Sequence, residues 1–295
     1  SSAASDVYKR QAPLDTLTCR IRERTAADLA QPVEIPDSGD EAAAVALAFN
    51  QMSQRLNQVF VMQRNFSRSA AHEFRTPLAV LKTRIGLFRK KQDFRPQATL
   101  ELLQIVEGEV DRLSAMVSEL LELTNLERAS RGERLSSGQL IRSAADQAAP
   151  QAEARSITIL VDAAPCTLAG NAELLRQAVC NLVENAVKYS PAGSVVHIAG
   201  HRDGEWFQIV VADQGPGIPE SLRQRIFEPF FRVDDSRSRQ LGGAGLGLAL
   251  VRAIAEFHGG AVYVEKSRGA GSRFVLKLPC EQDPPPDLSL IHISE

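Results

Sequence analysis

Two runs of apolar residues, spaced alternately by three and four, limit what this chain can fold into. The first is Phe74, Leu78, Leu81, Ile85 and Phe88, in steps of 4, 3, 4 and 3. The second is Leu103, Val106, Val110, Leu113, Val117 and Leu120, in steps of 3, 4, 3, 4 and 3. Such spacing keeps a seam on one side of an α-helix. Gln92-Asp-Phe-Arg-Pro96 is the first break between the runs, so together they predict a helical hairpin. Two arms cannot cover their own stripes, and dimerisation into a four-helix bundle would bury them.

The stretch Phe66-Ser-Arg-Ser-Ala-Ala-His-Glu-Phe-Arg-Thr-Pro-Leu78 leads into the first seam. The seam passes near Ala71, which places His72 beside it and towards solvent. Glu73 is adjacent to His72, and Thr76 lies one helical turn beyond it. Pro77 has no N–H, so the bond to the carbonyl of Glu73 is lost and a bend is expected there. A reachable imidazole beside a carboxylate suits a group that must be deprotonated. A lone histidine is more often plain surface, and the rest of the chain decides between the two.

Upstream, Leu14, Leu17 and Ile21 share one helical face, and Gln31-Pro-Val-Glu-Ile-Pro36 reads as an extended connector. Asp37-Ser-Gly-Asp-Glu41 is a candidate cap for a second helix carrying Val45, Phe49, Met52, Leu56 and Val59. That helix runs on towards His72 without a turn signal. Two short parallel helices joined by an extended connector resemble a HAMP signalling module, with Leu47-Ala-Phe-Asn-Gln-Met52 matching its second helix.

The 295 residues are 44% hydrophobic and 24% charged, as expected of an ordered chain of roughly two domains. A net charge of −2 gives nucleic-acid binding no support. No apolar run approaches the ~18–20 residues of a membrane span. Cys19, Cys166, Cys180 and Cys280 lack metal spacing and are expected as reduced thiols. The ends look foreign. Asp6-Val-Tyr-Lys-Arg-Gln11 can be encoded as gat gtg tat aag aga cag, whose reverse complement encodes Leu288-Ser-Leu-Ile-His-Ile293. The pair resembles transposon-end adapters, so 1–11 and 288–295 are expected to be adapter-derived. The insert would then be an open fragment, with sensor and membrane segments missing upstream.

Beyond the polar linker Arg128–Arg134 the pattern becomes mixed α/β. Helices are predicted over Leu140–Ala152, Asn171–Tyr189 and Leu246–Phe257. Strands are predicted over Ser156–Val161, Val195–Ala199, Trp206–Ala212, Ala261–Glu265 and Ser272–Leu278. Three stretches carry chemistry. Asn181, Asn185 and Lys188 fall on one helix face, where two amides and an ammonium can meet a hydrated Mg2+ and phosphate oxygens. Asp213-Gln-Gly215-Pro-Gly217 ends an apolar strand with a carboxylate able to accept from an exocyclic amine. Gly242-Gly243-Ala-Gly245-Leu-Gly247 opens a helix, where backbone N–H groups and the dipole favour an anion.

Jointly and in this order these stretches resemble the N, G1 and G2 boxes of sensor histidine kinases, with Phe227-Glu-Pro-Phe-Phe-Arg232 as the F box and Phe66–Leu78 as the H box. The resemblance covers about 60–280, and the HAMP-like part extends it to about 12. It implies an α+β fold: a helical hairpin dimerising into a four-helix bundle, then an α/β two-layer ATP-binding domain shared with gyrase and a heat-shock chaperone. The expected divisions are 12–59 HAMP-like, 60–128 dimerisation and phosphoacceptor, 135–280 ATP-binding and 281–295 a disordered tail. His72 would be the phosphoacceptor, Glu73 its base, and Thr76 would place a water for dephosphorylating a partner. Asn185, with Asn181 beside it, matches the Mg2+ ligand. Lys188 and Tyr189 match nucleotide contacts, and Asp213 matches the adenine-reading carboxylate. Gly215, Gly217, Gly243, Gly245 and Gly247 would shape the pocket, and Val233–Leu241 its lid. Arg232, Arg237 and Arg239 could reach phosphates or stand as solvated surface residues.

The implied activity is ATP-dependent autophosphorylation and transfer to a response-regulator receiver domain, in a homodimer. The implied setting is the cytoplasmic part of a bacterial inner-membrane protein. Two alternatives are an ATP-hydrolysing relative and a non-catalytic relay. Hydrolysing relatives place a catalytic glutamate one turn before the Mg2+ asparagine, where this chain has Asn181. Glu184 precedes Asn185 directly and points about 100° away. A relay would need none of the boxes.

Overall fold

The computed structural model describes residues 17–19, 21–22, 28–35, 41–91, 95–126, 130, 132–233, 244–265 and 271–280. The chain divides into two units, Ser1–His72 and Glu73–Glu295. The expected adapter ends, the cap residues 36–40, the lid positions 234–241 and Gly243 lie outside the described residues.

In the first unit, residues 17–19 and 21–22 are helical and residues 32–35 are irregular. Helix α1 (Glu41–Lys91) begins beyond them. Leu17, Val33 and Ala46 form a small core, with Ile21 and Phe49 packed against it. Asn50 fixes the connector to the helix at both ends of its amide. The backbone N–H of Val33 donates to Asn50 Oδ1 at 2.7 Å, and Asn50 Nδ2 donates to the Val33 carbonyl at 2.9 Å. Asn50 thereby satisfies both backbone polar groups of Val33. Helix α1 continues without a break through His72, as the missing turn signal predicted.

In the second unit, the end of α1 and helix α2 (Pro96–Asn125) are the two arms of the hairpin. Pro96 stands at the start of α2, where its missing N–H costs nothing. The seam stays open in the single chain. Leu78, Ile85, Leu103, Val110 and Val117 are all exposed, and Met116 is the buried residue of α2.

After the hairpin come β1 (Glu133–Ser136), α3 (Ser137–Ala154), β2 (Thr158–Ala163), β3 (Thr167–Gly170) and α4 (Ala172–Tyr189). Then follow β4 (Val195–Asp203), β5 (Trp206–Ala212), α5 (Gly247–Phe257), β6 (Ala261–Glu265) and β7 (Arg273–Pro279). The main sheet has the order β2-β4-β5-β7-β6, with β2 parallel to β4 and the other pairs antiparallel. One face packs on α3, α4 and α5 through Ile141, Leu175, Leu182, Ile198, Phe207, Ile209, Leu250, Ile254 and Leu276. The other face is open, since β4 alternates buried Val196 and Ile198 with less buried neighbours. This is the expected two-layer α/β sandwich.

The sequence missed β1 and β3, which pair antiparallel from Glu133↔Gly170 to Ser136↔Thr167. Four-residue strands carry too little alternation to be read, and β1 lay within and beside a stretch read as linker. The cysteine expectation also needs correction. Cys166 and Cys280 are joined as a disulfide across 114 positions, while Cys19 and Cys180 are free. Spacing gave no sign of it, because the pairing depends on the bridge Leu168↔Cys280 between distant segments. Among the described residues no helix is long and apolar enough to cross a membrane.

Helix α4 is capped at both ends. Asn171 Oδ1 accepts from Leu174 N at 3.0 Å, the predicted N-cap. At the other end Arg155 donates to the carbonyls of Val187 at 2.6 Å and Ser190 at 3.0 Å, and also to that of Lys188. A guanidinium there satisfies otherwise orphaned carbonyls and opposes the negative end of the dipole. Arg155→Ala should cost about 2 kcal/mol, lowering the melting temperature by roughly 4–8 °C. Thermal melting followed by circular dichroism checks this. An unchanged melting temperature would show that water caps α4 as well as Arg155 does.

Candidate active site

His72, Glu73 and Thr76 share α1, with His72 exposed and the other two half-buried. Asn181, Asn185, Lys188 and Tyr189 occupy the second half of α4, where Leu182, Val183, Ala186 and Val187 are the buried face. The apolar residues fix the rotation of the helix, and the polar ones follow on its partly open side. Lys188 Nζ lies 5.5 Å from the centre of the Tyr189 ring.

Asp213 follows β5 directly and is buried, 8% exposed. Its Oδ1 accepts from Gly215 N at 2.8 Å and from Ser272 N at 3.0 Å. Burial pushes the carboxyl above its ordinary value, while the bonds from Gly215 and Ser272 favour the ion. The backbone around it leaves no room for side chains. A Cβ on Gly215 would lie 2.8 Å from the Tyr189 carbonyl oxygen. One on Gly271, at φ +110°, would lie 1.9 Å from the Asp213 carbonyl oxygen. Gly271 and Ser272 were not among the residues singled out in the sequence. The run Arg268-Gly-Ala-Gly271-Ser272 before a strand was the available signal.

Gly247 opens α5 beside α4, where its absent Cβ would meet Asn181 Oδ1 at 3.1 Å. Gly245 has φ +76°, and its carbonyl accepts from Phe230 N at 2.9 Å. That bond ties the glycine run to the segment carrying Arg232. The Arg232 side chain is 8% exposed, and its Nη2 stands 3.8 Å from Glu73 Oε2. Within electrostatic reach of Arg232 are Lys188 and Tyr189. Burial, and after it Arg232, hold the Lys188 ammonium below its ordinary value. Gly217 packs against the Gly271 carbonyl oxygen at φ +77°. The structure thus gathers Asn181, Lys188, Tyr189, Asp213, Gly215, Gly217, Arg232, Gly245 and Gly247 around the end of α4.

Glu184 turns elsewhere. Burial raises its carboxyl, partly offset by a hydrogen bond with Gln147 of α3. The arrangement therefore has Asn181 one turn before Asn185 and a glutamate engaged with α3.

The hairpin supplies acids to the same helix. Gln177 Nε2 donates to Glu122 Oε2 of α2. Burial first, and then Glu122, push Glu119 from 4.5 up to about 7, with Lys188 opposing. Its Oε2 is buried, without a hydrogen-bond partner among the described residues.

Between pH 4.5 and about 7 the folded chain keeps the Glu119 proton that the unfolded chain releases, so stability falls as pH rises through that window. Glu119→Gln removes this term. The variant should gain about 2–3 kcal/mol relative to wild type between pH 5 and pH 8, read from urea unfolding at the two pH values. Parallel stability profiles would refute it. Asp213→Asn keeps an oxygen for Gly215 and Ser272 but replaces the outer acceptor with an NH2 group. Adenine nucleotide affinity, by calorimetry, should fall roughly 30–100-fold from an unmet donor, with melting nearly unchanged. Unchanged affinity would remove Asp213 from base recognition.

Comparison with known proteins matches this architecture segment by segment. Residues 170–282 match the family described as histidine kinase-, DNA gyrase B-, and HSP90-like ATPase. Residues 62–129 match the His kinase A (phospho-acceptor) domain, and residues 11–58 the HAMP domain. Sensor histidine kinase CpxA of Escherichia coli is 34% identical over 256 residues, covering 85% of this chain and 54% of CpxA. Sensor histidine kinase CusS of Escherichia coli is 32% identical over 277 residues, covering 92% of this chain and 57% of CusS. The chain thus spans about half the length of the curated relatives it matches. The solved structure of full-length ShkA in complex with AMPPNP superposes with a TM-score of 0.54 at 30% identity, covering 75% of this chain and 47% of ShkA. With all three domains present in this order, the chain belongs to the sensor histidine kinases of two-component systems.

Proposed function

We propose that this chain binds ATP, phosphorylates its own His72 and passes the phosphoryl group to an aspartate of a response-regulator receiver domain. The observation that carries this reading is an exposed imidazole followed by a carboxylate, in a chain whose nucleotide helix has Asn181 where a hydrolase needs an acid. Asp213 would take the exocyclic amine of adenine on its outer oxygen, the inner one being engaged by Gly215 and Ser272. Lys188 and Arg232 would hold phosphate oxygens, and the backbone N–H groups at Gly245–Gly247 would add an anion site. The binding of AMPPNP by the similar ShkA supports an adenine nucleotide here.

Asn185, with Asn181 one turn earlier, suits Mg2+ in its usual nucleotide setting. That ion keeps few protein ligands and takes the rest from phosphate and water. When bound it would supply neutralisation of phosphate charge. Glu73 would orient the His72 ring and accept its proton as an imidazole nitrogen forms the bond to phosphorus. The bond from phosphorus to the β–γ bridging oxygen breaks, and ADP leaves with the charge. Thr76 would place a water for hydrolysing the regulator's acyl phosphate. The open seam at Leu78, Ile85, Leu103, Val110 and Val117 supports a homodimer, since a second hairpin would cover it.

The test is incubation with γ-labelled ATP and Mg2+. The label should be acid-labile and base-stable. His72→Ala should abolish it while ATP affinity stays within about twofold, because the substitution is on an exposed helical position where alanine is the better helix former. Labelling of that variant at the wild-type level would rule out His72 as acceptor. Phosphate release without any labelled protein would favour the hydrolase.

A further inference from the structure

We propose that Cys166 and Cys280 are a reversible thiol–disulfide modification site, closed by exchange with a low-molecular-weight disulfide, whose closure staples the ATP-binding fold. Nothing in the phosphotransfer chemistry uses these residues. Cys166 lies just before β3 and Cys280 just after β7, and both are half-buried, within reach of a small thiol. Each is also held by its backbone. Cys166 N donates to Ser137 Oγ at 2.9 Å, and its carbonyl accepts from Ser137 N at 2.9 Å. Cys280 bridges Leu168 and donates its N–H to the Glu205 carbonyl at 2.8 Å. The two sulfurs therefore meet where β1, β3, β7 and the β4–β5 turn converge.

The bond closes a ring across 114 positions that contains every nucleotide-site residue from Asn181 to Gly247. Closing so long a ring restricts the unfolded chain more than the folded one. The Cα atoms stand 7.2 Å apart, beyond the roughly 4.4–6.8 Å usual for a disulfide. Partial exposure of both residues lets a small thiol reach the bond and reopen it. Cys180 is a poor competitor: it is buried, and burial raises its thiol above the usual value.

The step balances without any further reagent. The thiolate of one cysteine attacks a sulfur of oxidised glutathione, forming a mixed disulfide and releasing one glutathione. The other cysteine attacks the protein-bound sulfur of that mixed disulfide and releases the second glutathione. Two electrons pass from the protein thiols to the glutathione disulfide, and the two thiol protons end on the glutathione released.

The test equilibrates the full chain in reduced and in oxidised glutathione, then unfolds it in N-ethylmaleimide and weighs it. Of the 4 cysteines, all should be alkylated after reduction, and 2 after oxidation. Peptide mapping should join 166 to 280. The oxidised chain should melt higher by about 5–10 °C, and the shift should vanish in Cys166→Ser and in Cys280→Ser. The wild-type comparison stands even if a variant folds poorly. Four adducts after oxidation, a bridge to Cys19 or Cys180, no redox-dependent shift in the wild type, or a shift surviving in either variant would overturn the proposal.

Discussion

The buried carboxylate of Asp213 is the tie on which the nucleotide half of this chain depends. It stands at the end of β5, yet its Oδ1 receives the N–H of Gly215 in the next turn and that of Ser272 at the start of β7. One oxygen thus fixes two chain segments separated by 59 positions. A buried carboxylate is costly unless its oxygens are met. Backbone donors meet the inner oxygen at ordinary distances, and Gly271 is required because any side chain there would strike the Asp213 backbone. In the proposed function the outer oxygen would be the acceptor for a ligand amine. Structure and the proposed recognition would then use the two halves of one group.

The helical part obeys a different constraint. Its apolar seam is too long for two arms to bury, and exposure alternates along both. Packing inside one chain does not set the position of α1 and α2 as it sets α4, whose buried face includes eight residues. In the proposed homodimer, stability of the hairpin would then be concentration-dependent in a way that the ATP-binding fold is not.

The legibility of the sequence follows the range of the forces involved. Helix periods, the Asn171 cap and the order of Asn181, Asn185, Asp213 and the glycine runs are local, and each could be read directly. The two-layer fold came with them. Strands β1 and β3 could not be read, because four residues hold barely two alternations and their pairing partner is more than thirty positions away. Arg155 sits in a turn whose only sign of purpose is the end of a helix 32 to 35 positions later. The Cys166–Cys280 pairing failed for the same reason: strand topology, not spacing, brings the sulfurs together.

Charge links the two constraints. Arg232 is nearly desolvated, yet among the described residues its Nη2 has no hydrogen-bond partner and meets Glu73 only at 3.8 Å. A guanidinium in that condition has lost water without full compensation, so an anion that approaches it gains more than it would at the surface. Lys188 lies beside it, its ammonium lowered by burial and by Arg232 and only partly offset by Glu119 and Glu184. A triphosphate would answer both cations with oxygens at hydrogen-bond distance, which carboxylates on a separate helix do not. As those cations turned to phosphate, the 3.8 Å contact between Arg232 and Glu73 would be exchanged for a contact with the nucleotide.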